Sequence, residues 1–319
     1  MTDHTFQNQD DLLVIAAWMY YEDGLTHRQI AEELSMSRVT VTRLLQKARR
    51  EGIVQVKITR PLPSHYELSQ RLIKTFGIKR AIIVKNAYSH EETLDRIGRT
   101  AAEHLKELLC GECSLGFAWS TTVRYMAPYL GKPDKPVHVT IHELAGSMLG
   151  QDTPYSISSK VAETLGAALK SLPVPVIVNN PATYQALMKE KSIKEALDQA
   201  AKCDTAFVGL GDVGDQCTMV KTGYLTPQQM EDLRRQGAVG DVLLRYYDIN
   251  GQHVYNPLEP HIISLNWEQL NRIPYMVALA SGPSKIQAIQ GALRGGWVSC
   301  LVSDEDTVQQ VLQSANRRS

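Results

Sequence analysis

Thr40, Arg43, Lys47 and Arg50 follow one another at spacings of three, four and three residues. On a helix those spacings share one face, and a face of that composition suits nucleic acid. Hydroxyls and arginines near a helix start can reach base edges, whereas lysine and arginine further along suit phosphates. Arg38 and Thr42 stand beside the four. A second group lies deeper in the chain. Leu115-Gly116-Phe117-Ala118-Trp119-Ser120-Thr121-Thr122 runs from apolar residues through small and hydroxyl residues into a helical pattern. Backbone N–H groups at a helix start, with Ser and Thr hydroxyls, suit an anion such as phosphate; the same stretch also reads as an ordinary capped turn. Ala145-Gly146-Ser147, Gly209-Leu210-Gly211-Asp212 and Ala280-Ser281-Gly282-Pro283-Ser284-Lys285 end three further apolar runs with the same small-residue character. Lys285 is either a cation for a phosphate or a surface lysine, and Asp241 either accepts from sugar hydroxyls or caps a turn.

Catalysis is the competing chemistry, since proton transfer at a sugar carbon needs a positioned acid and base. His142-Glu143 is one candidate pair, but consecutive strand residues point to opposite faces. Asp212 and Asp241 remain as alternatives. Cys110 and Cys113 form a CxxC, yet no second pair stands at zinc spacing and one pair cannot close a tetrahedral site. A buried structural role for Cys113 is the expectation, with no metal and no cofactor.

The amino-terminal residues carry three short helical patterns. Leu12, Ile15, Ala16 and Met19 stand at helical spacing before Asp23-Gly24 breaks the pattern. Thr26 and Gln29 form a capping box at the start of the second helix, which buries Ile30 and Leu34. Ser37 is an N-cap for a third helix that runs to Glu51, with Gly52 at its C′ position. Val41, Leu44, Leu45 and Ala48 make its inner face. Together these predict a helix-turn-helix over residues 1–60, with Ser37 to Arg50 entering the major groove. The alternation of Ile53 to Ile58 predicts a small β wing. Thr26, Gln29, Ser37, Arg38, Thr40, Thr42, Arg43, Lys47 and Arg50 are the expected DNA contacts.

Arg60-Pro61-Leu62-Pro63-Ser64 reads as a joint. Residues 61–78 then form a linker and an amphipathic helix with Leu68, Leu72 and Ile73 inside, which either pairs subunits or covers the larger domain. From residue 79 to 319 strand candidates (81–84, 114–118, 137–144, 174–178, 205–210, 275–280 and 298–302) alternate with helices (93–109, 123–129, 159–169, 185–202, 285–294 and 305–313). That alternation means an α/β domain with a largely parallel sheet, whose ligands sit at the carboxyl ends of strands.

The length of 319 residues fits two domains. The formal net charge of zero averages two opposite stretches. Asp3, Asp10, Asp11, Glu22, Asp23, Glu32 and Glu33 face only Arg28 up to Leu34; Arg38, Arg43, Lys47, Arg49, Arg50, Lys57 and Arg60 face only Glu51 after it. Charge within a Debye length is what phosphates feel. Five scattered cysteines argue against a disulfide framework. No apolar run reaches membrane-spanning length and the polar start lacks a signal-peptide core, so a cytoplasmic protein without membrane contact is expected.

Leu34 to Leu45 (LSMSRVTVTRLL) followed by Gly52-Ile53-Val54 resembles the amino-terminal domain of the SorC family of bacterial sugar-responsive transcription regulators. The resemblance extends over roughly Leu12 to Leu312. It is carried by Leu115 to Thr122, Leu172-Pro173-Val174-Pro175, Asp204 to Gly211, and most specifically Lys285 to Asp304 (KIQAIQGALRGGWVSCLVSD). The resemblance implies a sugar-binding domain similar in fold to sugar-phosphate isomerases and CoA transferases, assembly into dimers and tetramers, and control by a sugar or polyol phosphate. By position it puts the phosphate loop on Ala118 to Thr122, Lys285 as the cationic partner and Asp241 facing the sugar. Phe117, Gly146, Ser147, Asp212 and Ser281 complete the expected effector site. The phosphate turn is less glycine-rich than in relatives, with Ala118 and Trp119 in it, and the usual paired glycines read Ala145-Gly146-Ser147. A DNA-binding sensor is therefore expected, with a sugar-phosphate-converting enzyme fused to a DNA-binding domain as the alternative.

Overall fold

The computed structural model describes residues 9–54, 64–133, 137–147 and 157–316. The chain forms two compact units that part between Pro61 and Leu62. The first holds α1 (Gln9–Tyr21), α2 (His27–Glu33) and α3 (Arg38–Arg50). Leu13, Ala16, Ile30, Val41 and Ala48 are fully buried, so each helix contributes one apolar stripe to a shared core. Thr26 and Gln29 form the expected capping box, and the Ser37 hydroxyl accepts from the Thr40 N–H at 3.1 Å. The turn between α2 and α3 is closed without glycine. Ser35 takes φ 52°, and the Met36 N–H reaches back to the Ala31 carbonyl at 2.9 Å, a Schellman arrangement that satisfies a free helix carbonyl. Gly52 follows α3 at φ 75°, as its C′ position requires. Residues 55–58 of the expected wing lie outside the described residues.

The second unit opens with α4 (Ser64–Phe76), which buries Leu68 and Leu72 in the unit's main core. It then runs β1 (Arg80–Val84), α5 (His90–Leu108), β2 (Glu112–Phe117), a 3₁₀ helix (Val123–Tyr129), β3 (His138–Glu143), α6 (Ser158–Leu165) and β4 (Ala168–Lys170). Next come α7 (Pro181–Lys189), α8 (Lys191–Ala200), β5 (Thr205–Gly209), β6 (Gly211–Asp212), α9 (Thr218–Lys221) and α10 (Pro227–Arg235). The chain closes through β7 (Gly240–Val242), β8 (Arg245–Tyr247), α11 (Trp267–Leu270), β9 (Tyr275–Leu279), α12 (Ile286–Arg294), β10 (Cys300–Asp304) and α13 (Glu305–Asn316).

Seven strands make one sheet in the order β1-β10-β9-β5-β2-β3-β4, with every neighbouring pair parallel. Alternate strand residues feed opposite layers. Ala206, Val208, Met276 and Ala278 join one core, and Phe207, Val277, Leu279 and Val302 the other, as a parallel sheet covered on both faces requires. From β2 the chain winds one way, to β3 and β4; from β5 it winds the other way, to β9 and β10. The order therefore reverses between β2 and β5, and ligands of such sheets sit at that reversal, beyond the carboxyl ends.

Several expected elements differ in the structure. Residues 174–178 form only isolated bridges, Ser147 with Pro175 and Ile177 with Ile262, because Pro173 and Pro175 bring no N–H to a ladder. The expected helix at 159–169 ends at Leu165, with Gly166 in the left-handed region, and Ala168 starts a strand. The expected helix at 185–202 is two helices parted at Glu190. The small antiparallel sheet β6-β7-β8 and α9, α10 and α11 were not anticipated.

Candidate functional site

On α3, Arg43 and Arg50 are exposed and neither makes an ion pair among the described residues. Lys47 lies 3.6 Å from Glu51. Thr40 and Arg38 are exposed. Thr42 is turned away from them: its hydroxyl meets the His27 ring at 3.1 Å and donates to the Arg38 carbonyl at 3.0 Å. Thr26 and Gln29 engage each other in the cap, the Thr26 N–H donating to Gln29 Oε1 at 2.9 Å, so these two set where α2 begins. Val39 and Gln46, exposed on the same helix, are absent from the sequence-based set.

The second site lies at the reversal between β2 and β5. A cavity of about 60 Å³ opens there, lined by Ala118, Trp119, Ser120 and Thr121 after β2, by Gly209 to Asp212, and by Asp241 and Lys285. Cys217, Thr218, Met219, Leu243 and Leu244 complete its wall; the sequence-based effector site includes none of these five. Phe117 is not in the lining. It is 2 % exposed and stacks on Phe207 at 5.3 Å, because as the last residue of β2 it points into the opposite layer. Gly146, Ser147, Thr122 and Ser281 also lie outside the lining. The Gly146 and Ser147 N–H groups bond instead to the carbonyls of Ile263 and Val174.

Close approach explains two glycines of the wall. A methyl on Gly209 would meet Ser120 Oγ at 2.1 Å, and one on Gly211 would meet Asp241 Oδ1 at 1.7 Å. Ser120 Oγ accepts from the N–H groups of Thr122 (3.1 Å) and Val123 (3.2 Å). Two of the amides expected to cradle an anion are thus already engaged, which leaves Lys285 as the principal positive group. Its ammonium donates to Asp212 Oδ2 at 2.8 Å, and the Ser284 hydroxyl reaches the same oxygen at 3.3 Å. Burial pushes the Asp212 carboxyl up, but the Lys285 charge and the hydrogen bonds from Lys285, Gly214 and Ser284 outweigh it and hold the carboxyl below its ordinary range.

Asp241 behaves oppositely. It is 9 % exposed, and burial raises its carboxyl to about 6 against the pull of the Leu244 N–H and of Lys285. The hairpin that carries it is unusual. Strands β7 and β8 are joined by Leu243 and Leu244, at φ 54° and 63°, in the two-residue turn where Asn-Gly is the common choice. Leucine in the left-handed region costs about 1–2 kcal/mol per residue, and strain of this kind gathers where structure around a site over-determines it. The Leu244 N–H donates to Asp241 Oδ2 at 2.9 Å. Other candidates fall away from the cavity. Glu143 accepts from the Leu172 N–H at 2.7 Å, and His142 is buried in the sheet. The five cysteines are free thiols, and no cluster fit to hold a metal ion occurs among the described residues. No described helix is long and apolar enough to cross a membrane.

A helix-turn-helix with an exposed basic face, joined to a parallel α/β unit with a polar strand-end cavity, defines a DNA-binding regulator with a sugar-binding domain. Residues 13–62 match the Crp-like helix-turn-helix domain, and residues 61–313 match the Sugar-bind family of sugar-binding domains. The chain belongs to the SorC family of sugar-responsive transcription regulators. It is 30 % identical over 311 residues to the uncharacterized transcriptional regulator YjhU of Escherichia coli K12, covering 95 % of this chain and 94 % of that protein. It is 28 % identical over 314 residues to the sorbitol operon regulator of Klebsiella pneumoniae, covering 96 % and 100 %. The crystal structure of that full-length regulator, SorC, superposes with a TM-score of 0.73 over 96 % of this chain and 99 % of that one.

Proposed function

We propose that this regulator controls a carbohydrate-utilisation operon and that a sugar or polyol phosphate, bound between Lys285, Asp212, Asp241 and the Ser120–Thr121 segment, sets its affinity for operator DNA. Support comes from the convergence of one cation, two carboxylates and three hydroxyls (Ser120, Thr121 and Thr218) in a cavity at the strand-order reversal, inside a sugar-binding domain. Lys285 would exchange Asp212 for the phosphate, while Asp212 and Asp241 would accept from sugar hydroxyls. Arg43 and Arg50, with Thr40 and Lys47 beside them, would contact operator half-sites, and pairing of subunits into dimers or tetramers would supply the second half-site. The protein would act in the cytoplasm, as a sensor without turnover.

A thermal-shift screen against sugar and polyol phosphates tests this, because a ligand of the native state raises the melting temperature. A phosphorylated compound that stabilises the wild type but not Lys285→Met supports the assignment; equal stabilisation of both rejects it. One observation favours a second reading, conversion of the bound sugar phosphate. Asp212 and Asp241 share the cavity with their carboxyls displaced in opposite directions, a pattern found in acid–base pairs. Product formation on incubation with a stabilising compound would establish that reading, and unchanged compound would leave the sensor.

A further inference from the structure

The outward crest of α3 is not centred on Thr40 and Lys47. Val41, Leu45 and Ala48, at 0, 5 and 0 % exposure, fix the inward direction. At about 100° per residue, Val39, Arg43 and Arg50 fall within roughly 30° of the opposite direction, with Gln46 and Lys47 roughly 50° to either side. Val39, Arg43, Gln46 and Arg50 are exposed, whereas Lys47 is partly buried and lies 3.6 Å from Glu51.

Val39 is the informative member. It is 61 % exposed and takes no part in the three-helix core, so folding of the unit does not account for an apolar side chain there. Its surroundings are cationic: Arg38, Arg43 and Arg50 lie on the same helix and none makes an ion pair among the described residues. Such a surface complements a polyanion, and the apolar group that a major groove presents is the C5 methyl of thymine. Gln46, two turns further along, carries the amide that pairs in two-point fashion with adenine N6 and N7. Val39 and Arg43 are about 6 Å apart along the helix axis, under two base-pair rises of about 3.4 Å.

We propose that Val39 and Gln46 are operator-specificity residues, Val39 seating a thymine methyl and Gln46 pairing with an adenine, on either side of the base addressed by Arg43. This rests on α3 being the groove helix.

The test uses the full-length protein and duplexes that it selects from a random pool. Each thymine of the selected half-site is replaced in turn by deoxyuridine, which removes only the methyl, and affinity is read by fluorescence anisotropy. At one thymine, within two base pairs of the position whose specificity Arg43→Ala relaxes, replacement is expected to weaken wild-type binding about fourfold, the worth of one buried methyl. Val39→Ala is expected to bind the intact duplex about fourfold or more weakly and to treat thymine and deoxyuridine alike there. Gln46→Ala is expected to lose about five- to 150-fold and to become indifferent to 7-deazaadenine at one adenine. A Val39→Ala protein that binds like wild type, or that still distinguishes thymine from deoxyuridine, overturns the role of Val39; a Gln46→Ala protein that still senses the deaza substitution overturns that of Gln46. Arg43→Ala separates the two levels: if it also leaves operator binding untouched, α3 is not the groove helix at all. Alanine is the better helix former, so the variants are expected to keep the wild-type melting temperature.

Discussion

Replacing Asp241 by asparagine is expected to stabilise the second unit at neutral pH while removing the response to effector. The carboxyl is buried and titrates near 6 instead of 3.8. The folded chain therefore binds a proton that the unfolded chain has already released between those two values. Stability is fully present below pH about 4 and is lost as pH rises through about 6, where the buried carboxylate must ionise. The interval, at 1.36 kcal/mol per pH unit, corresponds to about 3 kcal/mol. Asparagine keeps the shape and an acceptor for the Leu244 N–H, now 2.9 Å from the carboxylate, but carries no charge to desolvate. Urea denaturation followed by circular dichroism at pH 4, 5, 6 and 7.5 reads the difference directly. The variant and parent are expected to be similar near pH 4, with the variant gaining up to about 3 kcal/mol by pH 7.5. An advantage that does not grow with pH, or a variant less stable at pH 7.5, would refute the claim that this carboxylate is held at a cost. A residue that lowers stability where it stands is commonly retained for function, and sugar-hydroxyl recognition is the function proposed for it.

Three further outcomes follow from the same geometry. Lys285→Met strips Asp212 of a partner at 2.8 Å, with side chains only 18 % and 12 % exposed, and is expected to cost about 1–3 kcal/mol in a denaturation midpoint while leaving operator affinity unchanged. Gly211→Ala drives a methyl onto the Asp241 carboxylate; a loss of about 1–3 kcal/mol, with weakened effector binding in a thermal-shift assay, is expected. Arg43→Ala should lower operator affinity by about 1–3 kcal/mol and relax specificity at one base pair, whereas Lys47→Ala should weaken all sequences alike and reduce the salt slope by about one, both measured by anisotropy across salt concentrations.

What the sequence disclosed was mostly local. Thr26 with Gln29, Ser37 and Gly52 punctuate the helices through contacts a few residues apart, so α2 and α3 could be read from spacing. The strand ends at Ala118–Thr121, Gly209–Asp212 and Lys285 showed as small and hydroxyl residues after apolar runs, and the family resemblance joined them. The Asp241 wall was harder to see. Leu243 and Leu244 adopt left-handed conformations that leucine seldom takes, so nothing in their types announces the β7–β8 hairpin, and the pairing of Gly211 with Asp241 is a tertiary fact. Val39 and Gln46 escaped for a different reason. The hydroxyl of Thr40 and the charge of Lys47 stand out by residue type, and only the burial of Val41, Leu45 and Ala48 centres the crest on Val39, Arg43 and Arg50.

The central claim is that one small phosphorylated polyol, held at the strand ends, changes how tightly α3 binds its operator. Operator affinity of the full-length protein, measured by anisotropy with and without each compound that stabilises it, addresses this directly. A coupling of about 1–3 kcal/mol, a five- to 150-fold change, is expected for at least one compound, with Asp241→Asn abolishing the change. Operator affinity unaltered by every stabilising compound, or altered equally in Asp241→Asn, would contradict it.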